Sequence, residues 1–398
     1  MAHAPASHAT VAGYGDLLQV VRQPQGATRA QLIARTGLSR ATVNHRLDAL
    51  LEAGYVVSTS TLQRTGGRPA EVFRVNPAAG YLLLADIGGS HTRVALSDLG
   101  GTLLAAREDD VDPAQGPEPV VAYVSTMFDE VLAEAGVPLE RVRGLGIGVP
   151  APVEVRTGRV VKPRGLPGWD GVVVPELFAG RYPGTIAVDK DANAMALGEY
   201  RAARRRDAVM VLVKIGMGIG MGIVAHGRLL VGDQGAAGDI GHMPRGTGVT
   251  CRCGQIGCVE ATAGGRYIAQ QLAEVGIDVR TSAEIDALVH SGQADAVRLV
   301  RETGRRVGEV VAETVSLLNP SRVVLGGGLV GENDDLLASV REVVYRTSHP
   351  LATGNLRIEP SVLGGTAGLW GAAELALDRF LAPDEVDAAV AAGVRWVQ

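Results

Sequence analysis

The spacing of apolar residues divides the chain into two unlike stretches. In the first eighty residues they fall at helical intervals. Leu17, Leu18 and Val21 give a short amphipathic helix over 15–22. Thr28 and Gln31 have the form of a capping box and open a second helix through Leu32 and Ile33, which stops at Gly37. Ser39 caps a third helix. There Val43, Leu47, Leu50 and Leu51 follow the i, i+4, i+7, i+8 spacing of a buried stripe, and Gly54 ends it. Strands are predicted over 55–58 and 71–75, on either side of a loop over 61–69.

Beyond residue 80 the pattern changes. Apolar runs of strand length cover 81–86, 93–97, 186–189, 209–213 and 223–225, and glycine turns break them. A helix is expected over 194–204. The stretch Asn76-Pro77-Ala78-Ala79-Gly80 separates the two patterns, so the spacing predicts a head over 1–76, a linker over 77–80 and a larger body.

Composition sharpens this division. With 398 residues, 46% apolar and 20% charged, the chain has room for two to four domains and is not of disordered composition. The net charge of −5 hides an asymmetry. Residues 1–80 hold eight Arg against four acids, a balance of +4; the remaining 30 bases and 39 acids leave −9. A basic head on an acidic body suggests a nucleic-acid module joined to a different domain. The bases are 35 Arg and three Lys, and Lys162, Lys190 and Lys214 all fall in one central stretch. No apolar run reaches the ~18–20 residues of a membrane span. Residues 1–15 lack the segments of a signal peptide. A soluble cytoplasmic protein is expected.

Two short helices joined by a turn containing Gly37 match a helix-turn-helix, whose second helix offers its N-terminal residues to the major groove. Ser39 opens that helix. Arg40, Thr42, Asn44 and His45 lie off its apolar stripe, placed for phosphates or base edges. The loop Arg64-Thr-Gly-Gly-Arg68-Pro69 is a basic wing suited to a narrow minor groove. The alternative is a helical bundle for protein contacts. The charge, the turn spacing and the wing together favour DNA.

The body carries two glycine turns between strands. Asp86-Ile-Gly88-Gly89-Ser90-His91 is the first, and Gly216-Met-Gly218-Ile-Gly220-Met-Gly222 the second. One alone is explained as a tight hairpin. Two suggest an internally duplicated fold in which backbone N–H groups approach a phosphate. Between them, Asp189-Lys190-Asp191 ends a strand. A carboxylate there can take a hydroxyl proton during phosphoryl transfer. Capping of the next helix by Asp191 or Asn193 explains it equally well. The most specific local motif is His242 followed by Cys251, Cys253 and Cys258. Three thiolates and an imidazole make the closed set of a structural Zn2+ site; the alternative is three free buried thiols. With every Cys in this segment, a disulfide framework is not expected.

Together these motifs resemble the ROK family of repressors and sugar kinases, over nearly the whole chain. The resemblance rests on Gly238-Asp239-Ile-Gly-His242 with Cys251-Arg-Cys253-Gly-Gln-Ile-Gly-Cys258-Val-Glu260. It rests also on Leu145-Gly-Ile-Gly-Val-Pro150, Gly168-Trp169, and Asn319-Pro320 with Gly326-Gly-Gly328. It implies an α/β body with the two-lobed, actin/hexokinase-like (RNase H-like) ATPase fold, preceded by an α+β winged helix-turn-helix domain. The smaller lobe is expected over 81–193. The larger is expected over 194–377, with the metal site and a dimer interface. A C-terminal helix over 378–398 is expected to pack back on the smaller lobe. By the same resemblance His242, Cys251, Cys253 and Cys258 hold zinc, and Asp191 matches the catalytic base. Lys190, Asp191, Asp239, His242 and Glu260 match sugar-binding positions. Asp86, Gly88, Gly89 and Ser90 match the first phosphate loop; Gly216, Gly218 and Gly220 match the second.

The departures from the family pattern bear on activity. Its kinases usually read Asp-x-Gly-Gly-Thr-Lys in the first loop, where this chain has Ser90 and His91. They read Gly-Thr-Gly in the second, where it has Met217. Losing a hydroxyl and a cation beside the phosphates argues against phosphoryl transfer, so ATP and Mg2+ are not expected. Lys190 replaces an amide, which favours an anionic ligand unless the lysine pairs with Asp189 or Asp191. Asp239 stands for a Glu one methylene longer. The resemblance implies a sugar-responsive regulator of carbohydrate metabolism, similar to the family's xylose, glucose and N-acetylglucosamine repressors. It would bind a palindromic operator as a homodimer or dimer of dimers. The alternatives are an active ATP-dependent sugar kinase that also binds DNA, with Asp191 as base, and a regulator controlled by a protein partner.

Overall fold

The computed structural model describes residues 13–23, 25–61, 70–89, 91–203, 207–246, 248–331 and 334–396. In the head, helices Tyr14–Val21, Arg29–Thr36 and Arg40–Glu52 accompany β1 (Ala27–Thr28), β2 (Val56–Thr61) and β3 (Ala70–Val75). The strands form an antiparallel sheet in the order β1–β3–β2. The capping box forms as expected. Thr28 Oγ1 accepts from the Gln31 N–H, and Gln31 Oε1 from the Thr28 N–H. Apolar periodicity does not reveal β1, because two residues carry no period. Leu17, Leu18, Leu32, Val43, Leu47, Leu50 and Phe73 fill the interior of the head.

The body holds two five-stranded sheets of matching design. The first comprises β4 (Tyr81–Ile87), β5 (Thr92–Asp98), β6 (Leu103–Asp109), β7 (Val142–Val149) and, after a short ribbon of β8 (Val153–Glu154) and β9 (Arg159–Val160), β10 (Thr185–Lys190). Its order is β10–β7–β4–β5–β6. The second comprises β11 (Val209–Ile215), β12 (Ile219–Ala225), β13 (Arg228–Leu229), β14 (Arg322–Gly326) and β15 (Arg357–Pro360), in the order β13–β12–β11–β14–β15. In each, an antiparallel meander closed by a glycine loop is extended on its first strand by two parallel strands. The duplication suggested by the loops is therefore one of whole sheets.

Helix Ala367–Phe380 packs on β4, β7 and β10, helix Asp191–Ala202 packs on β11 and β12, and the two helices pack on each other. A Cβ on Gly371 would lie 1.7 Å from the Ala194 carbonyl oxygen, so this close crossing requires glycine. The backbones of the two lobes are thus joined through their helices with almost no side chain between them.

Head and body share one apolar cluster. Leu17, Leu18 and Tyr55 of the head join Leu82 and Leu84 of β4 and Leu369, Leu377 and Phe380 of the long C-terminal helix. Arg22 of the head pairs with Glu374 at 2.7 Å and with Asp378 on that helix. The segment 77–80 is a built turn, not an open tether. Asn76 Nδ2 donates to the Gly54 carbonyl at 2.9 Å, and Ala79 is buried. The C-terminal segment also departs from expectation. Ala367–Phe380 covers the first sheet, whereas Pro383–Ala391 packs on the first helix of the head. The reason is local: Pro383 starts a new helix after the chain turns at Leu381 and Ala382. Among the described residues no helix is long and apolar enough to cross a membrane.

Candidate functional site

A cleft of about 690 Å³ opens between the two sheets. Parallel strand ends and both glycine loops face it, so it collects residues distant in sequence. Asp86, Gly89, Lys190, Asp191, Gly216, Gly218, Gly220, Asp239, His242 and Glu260 all line it. Gly88 stands behind, its N–H donating to the His91 carbonyl at 2.8 Å. Ser90 lies outside the described residues. Glu260 Oε2 accepts from the Ile219 N–H at 2.9 Å and so braces the second loop while lining the cleft.

Lys214 is the site residue that motif reasoning passed over. It lies on β11 opposite Gly220, and its ammonium pairs with Asp191 Oδ2. The Ala192 N–H donates to Asp191 Oδ1 at 2.6 Å. Both oxygens of the would-be base are therefore engaged. Neither Asp191 nor Asn193 takes the N-cap position, although Asp191 does accept from a first-turn N–H of the helix. Lys190 holds the N-cap position without a side-chain bond, and Asn193 Nδ2 donates to Asp189 Oδ1 at 2.8 Å. The pair suggested for Lys190 is also absent among the described residues. Its Nζ donates to the Ala237 carbonyl at 3.1 Å, and burial holds the ammonium below its ordinary value. Only the short spacing of three lysines in an arginine-rich chain hinted at this cluster.

His91 stands where the kinases carry a lysine, and it is no cation. Burial, then Arg93, then Lys214 push its imidazole down to about 3, and Nε2 lies 2.8 Å from Arg93 Nη1. Asp86 is 5% exposed, and its Oδ1 has no hydrogen-bond partner among the described residues. Burial pushes its carboxyl up from 3.8 to about 6, with Lys214 opposing and Asp191 reinforcing the shift. Its other oxygen would lie 2.1 Å from a Cβ on Gly368, so the carboxyl abuts the first turn of Ala367–Phe380.

A pH dependence follows. Between these two values the folded chain keeps a proton that the unfolded chain releases. Asp86 thus favours folding most below the window, and that contribution is lost as pH rises through about 6. Asp86→Asn should gain on wild type by roughly 3 kcal/mol between pH 3.5 and pH 7. Urea midpoints at several pH values measure this. A stability difference that stays constant with pH would refute the burial argument.

Beside the cleft, His242, Cys251, Cys253 and Cys258 bring their ligand atoms within 4.8 Å of one another. Cys251 Sγ lies 3.7 Å from His242 Nδ1, and Cys253 Sγ lies 3.6 Å from Cys258 Sγ. A tetrahedral ion with metal–sulfur bonds of about 2.3 Å implies edges of roughly 3.8 Å, so the cluster fits a structural metal. His242 belongs both to this cluster and to the cleft wall.

On the head, Ser39 Oγ caps the third helix by accepting from the Thr42 N–H at 3.1 Å. Arg40 is exposed at its start. Thr42 and Asn44 are half-buried; Thr42 Oγ1 lies 2.9 Å from Ser39 Oγ, and Asn44 Oδ1 accepts from Arg29 at 2.9 Å. His45 is exposed, its ring 6.3 Å from that of Tyr14. Arg64 and Arg68 of the wing lie outside the described residues.

A winged helix-turn-helix head fused to a two-lobed, sugar-kinase-like body defines a DNA-binding regulator with a small-molecule cleft. The chain belongs to the ROK family, whose model matches residues 83–379; a winged helix-turn-helix DNA-binding model matches residues 16–57. A putative xylose repressor of Caldicellulosiruptor sp. (strain Rt8B.4) is 27% identical over 386 residues, covering 93% of this chain and 96% of its own. A glucokinase of Thermotoga maritima is 31% identical over 317 residues, covering 75% of this chain and 98% of its own. A solved ROK family transcriptional regulator, a homologue of the Escherichia coli MLC protein, has the same fold. Its TM-score is 0.78 at 24% identity, covering 96% of this chain and 98% of that one.

Proposed function

We propose that the protein is a sugar-responsive transcriptional repressor of carbohydrate metabolism, with a kinase-like cleft converted to sensing. One observation carries the reading. Helix Ala367–Phe380 abuts the cleft carboxyl Asp86 at its first turn and binds Arg22 of the DNA-binding head through Glu374 and Asp378. A ligand that draws the lobes together shifts the populations of two helix positions, and the head follows. The engaged Asp191 and neutral His91 weigh against the kinase alternative. A donor set of three sulfurs and one nitrogen suits zinc, whose role is to pin His242 and the loop leading to Glu260. A palindromic operator and a homodimer suit a single small head, whose affinity alone is limited.

The test is fluorescence anisotropy on operator DNA with and without sugars, xylose first, given the xylose repressors among its relatives. A cognate sugar should weaken operator binding. Arg40→Ala should weaken it without sugar by about 1–3 kcal/mol. Operator affinity unmoved by any sugar, or equal for wild type and Arg40→Ala, would count against the respective claim.

A further inference from the structure

The start of the second head helix holds a residue that three elements share. Thr28 of β1 lies opposite Val72 of β3, and the two strands are antiparallel. The next residue, Arg29, therefore comes abreast of Glu71, one residue into the strand that leaves the wing. Arg29 Nη2 lies 3.5 Å from Glu71 Oε2. Its guanidinium lies over the buried Phe73 ring, 5.0 Å from the centroid. Its Nη1 donates to Asn44 Oδ1 on the third helix at 2.9 Å. A rigid fork of donors resting on an aromatic face can hold two partners in one geometry, which a lysine cannot. Arg29 thus joins the wing strand to the helix that offers its first turns to DNA. Both of its terminal nitrogens serve the head itself, and Glu71 offsets its charge.

Asn44 takes its meaning from that bond. It stands one turn after the exposed Arg40, and both lie off the buried stripe of Val43, Leu47 and Leu50. An unrestrained asparagine reads adenine with both heteroatoms, Oδ1 accepting from N6 and Nδ2 donating to N7. The two heteroatoms of a carboxamide diverge from one carbon. With Oδ1 held by Arg29, Nδ2 is the group left to offer, and it has no partner among the described residues. In the major groove adenine, guanine and thymine each present an acceptor, whereas cytosine presents only a donor. An amide fixed in this way rejects cytosine on the strand it faces and cannot single out adenine.

We propose that Arg29 is a positioning residue for sequence reading: it turns the Asn44 amide so that Nδ2 donates to one base of the operator and excludes cytosine there. This rests on the DNA-binding reading of the head and adds a specificity rule to it.

In the test the full-length protein first selects its own site from a random DNA library. Fluorescence anisotropy then measures affinity for that site and for each single-base variant of it. At one base pair wild type should disfavour cytosine about fivefold against the selected base, the scale of one hydrogen bond. Asn44→Ala should erase that discrimination. Asn44→Asp keeps a partner for Arg29 but presents only acceptors, so its preference should turn towards cytosine, whose N4 donates. Arg29→Met keeps apolar cover over Phe73 and frees the amide to turn, so the preference at that base pair should shift towards adenine. If Arg29→Met does not fold, Arg29→Lys should show part of the same shift, because a point charge cannot hold Glu71 and Asn44 in one fork. The proposal is overturned if the Arg29 variant lowers affinity equally on every sequence with the base preference intact. A fall of about one in the salt slope alongside that result would mark Arg29 as a phosphate contact instead. It is overturned equally if Asn44→Ala moves no base preference, or if Asn44→Asp still disfavours cytosine. Failure to select any sequence would remove the DNA-regulator reading itself, whereas a selected site with these preferences unmoved removes only the proposal.

Discussion

Cys253→Ser should bring the metal content from one ion per chain to near zero and lower sugar affinity at least tenfold. The four candidate ligands lie on a segment with little else to hold it. The backbone pairs Pro244 with Cys258 and Thr250 with Ile256, and Arg245 bonds Glu313 at 2.9 and 2.7 Å. Val249 and Ile256 of the same segment are exposed, and its apolar anchors Ile240 and Val259 lie only at its two ends. Burial and neighbouring thiols push the Cys258 thiol up to about 12. Three thiolates at this spacing therefore need a cation's charge, and losing one ligand of four removes most of the binding energy. The damage should be local, because the cluster of Val211, Val323 and Leu325 in the second sheet takes in Ile240 and Val259 beside the metal loop but none of its four ligands. What changes is the anchor of His242 and the path to Glu260, hence the loss of sugar affinity. Metal analysis and calorimetry check both parts. A variant retaining one zinc per chain would show that the ligand set is wrong, and retained sugar affinity would separate the metal from the cleft.

The fold was legible where chemistry is local. Glycine loops, a capping box and a Cys-x-Cys cluster are each set by a few neighbouring residues, and each marks an element of the structure. The charge balance separated head from body for a similar reason, since long stretches of one sign reflect different partners. Contacts across the chain were not legible. Lys214 sits in an apolar run that reads only as a strand, and its partner Asp191 is brought opposite by the packing of Asp191–Ala202 on β11. Arg22 reads as a basic residue of a DNA-binding head, yet it bonds a helix more than 350 positions away. Lys190 shows the opposite failure. Its neighbours in sequence are two carboxylates, but its ammonium extends to Ala237.

Lys214→Met should lower folding stability by about 3–5 kcal/mol, the usual consequence of removing one partner of a buried ion pair. Asp191 is 7% and Asp86 5% exposed, and Lys214 is the cation that most favours the charge of Asp86. Without it, two buried carboxylates repel each other with no cation between them. The Asp86 carboxyl, already raised by burial, rises further, so the variant's deficit should shrink as pH falls and be fully developed above neutrality. Asp191→Leu alone strands the lysine and should also destabilise. The double variant Lys214→Met, Asp191→Leu should lose clearly less than the sum of the two, because it removes both charges together. Additive losses in urea denaturation would mean the pair does not form. The same variants address the kinase alternative. If Lys214 merely restrains a competent base, Lys214→Met should acquire sugar-dependent ATP turnover that Asp191→Asn abolishes. No turnover is expected, because His91 is neutral and Met217 offers no hydroxyl, so the phosphates would lack both charge and positioning even with Asp191 released.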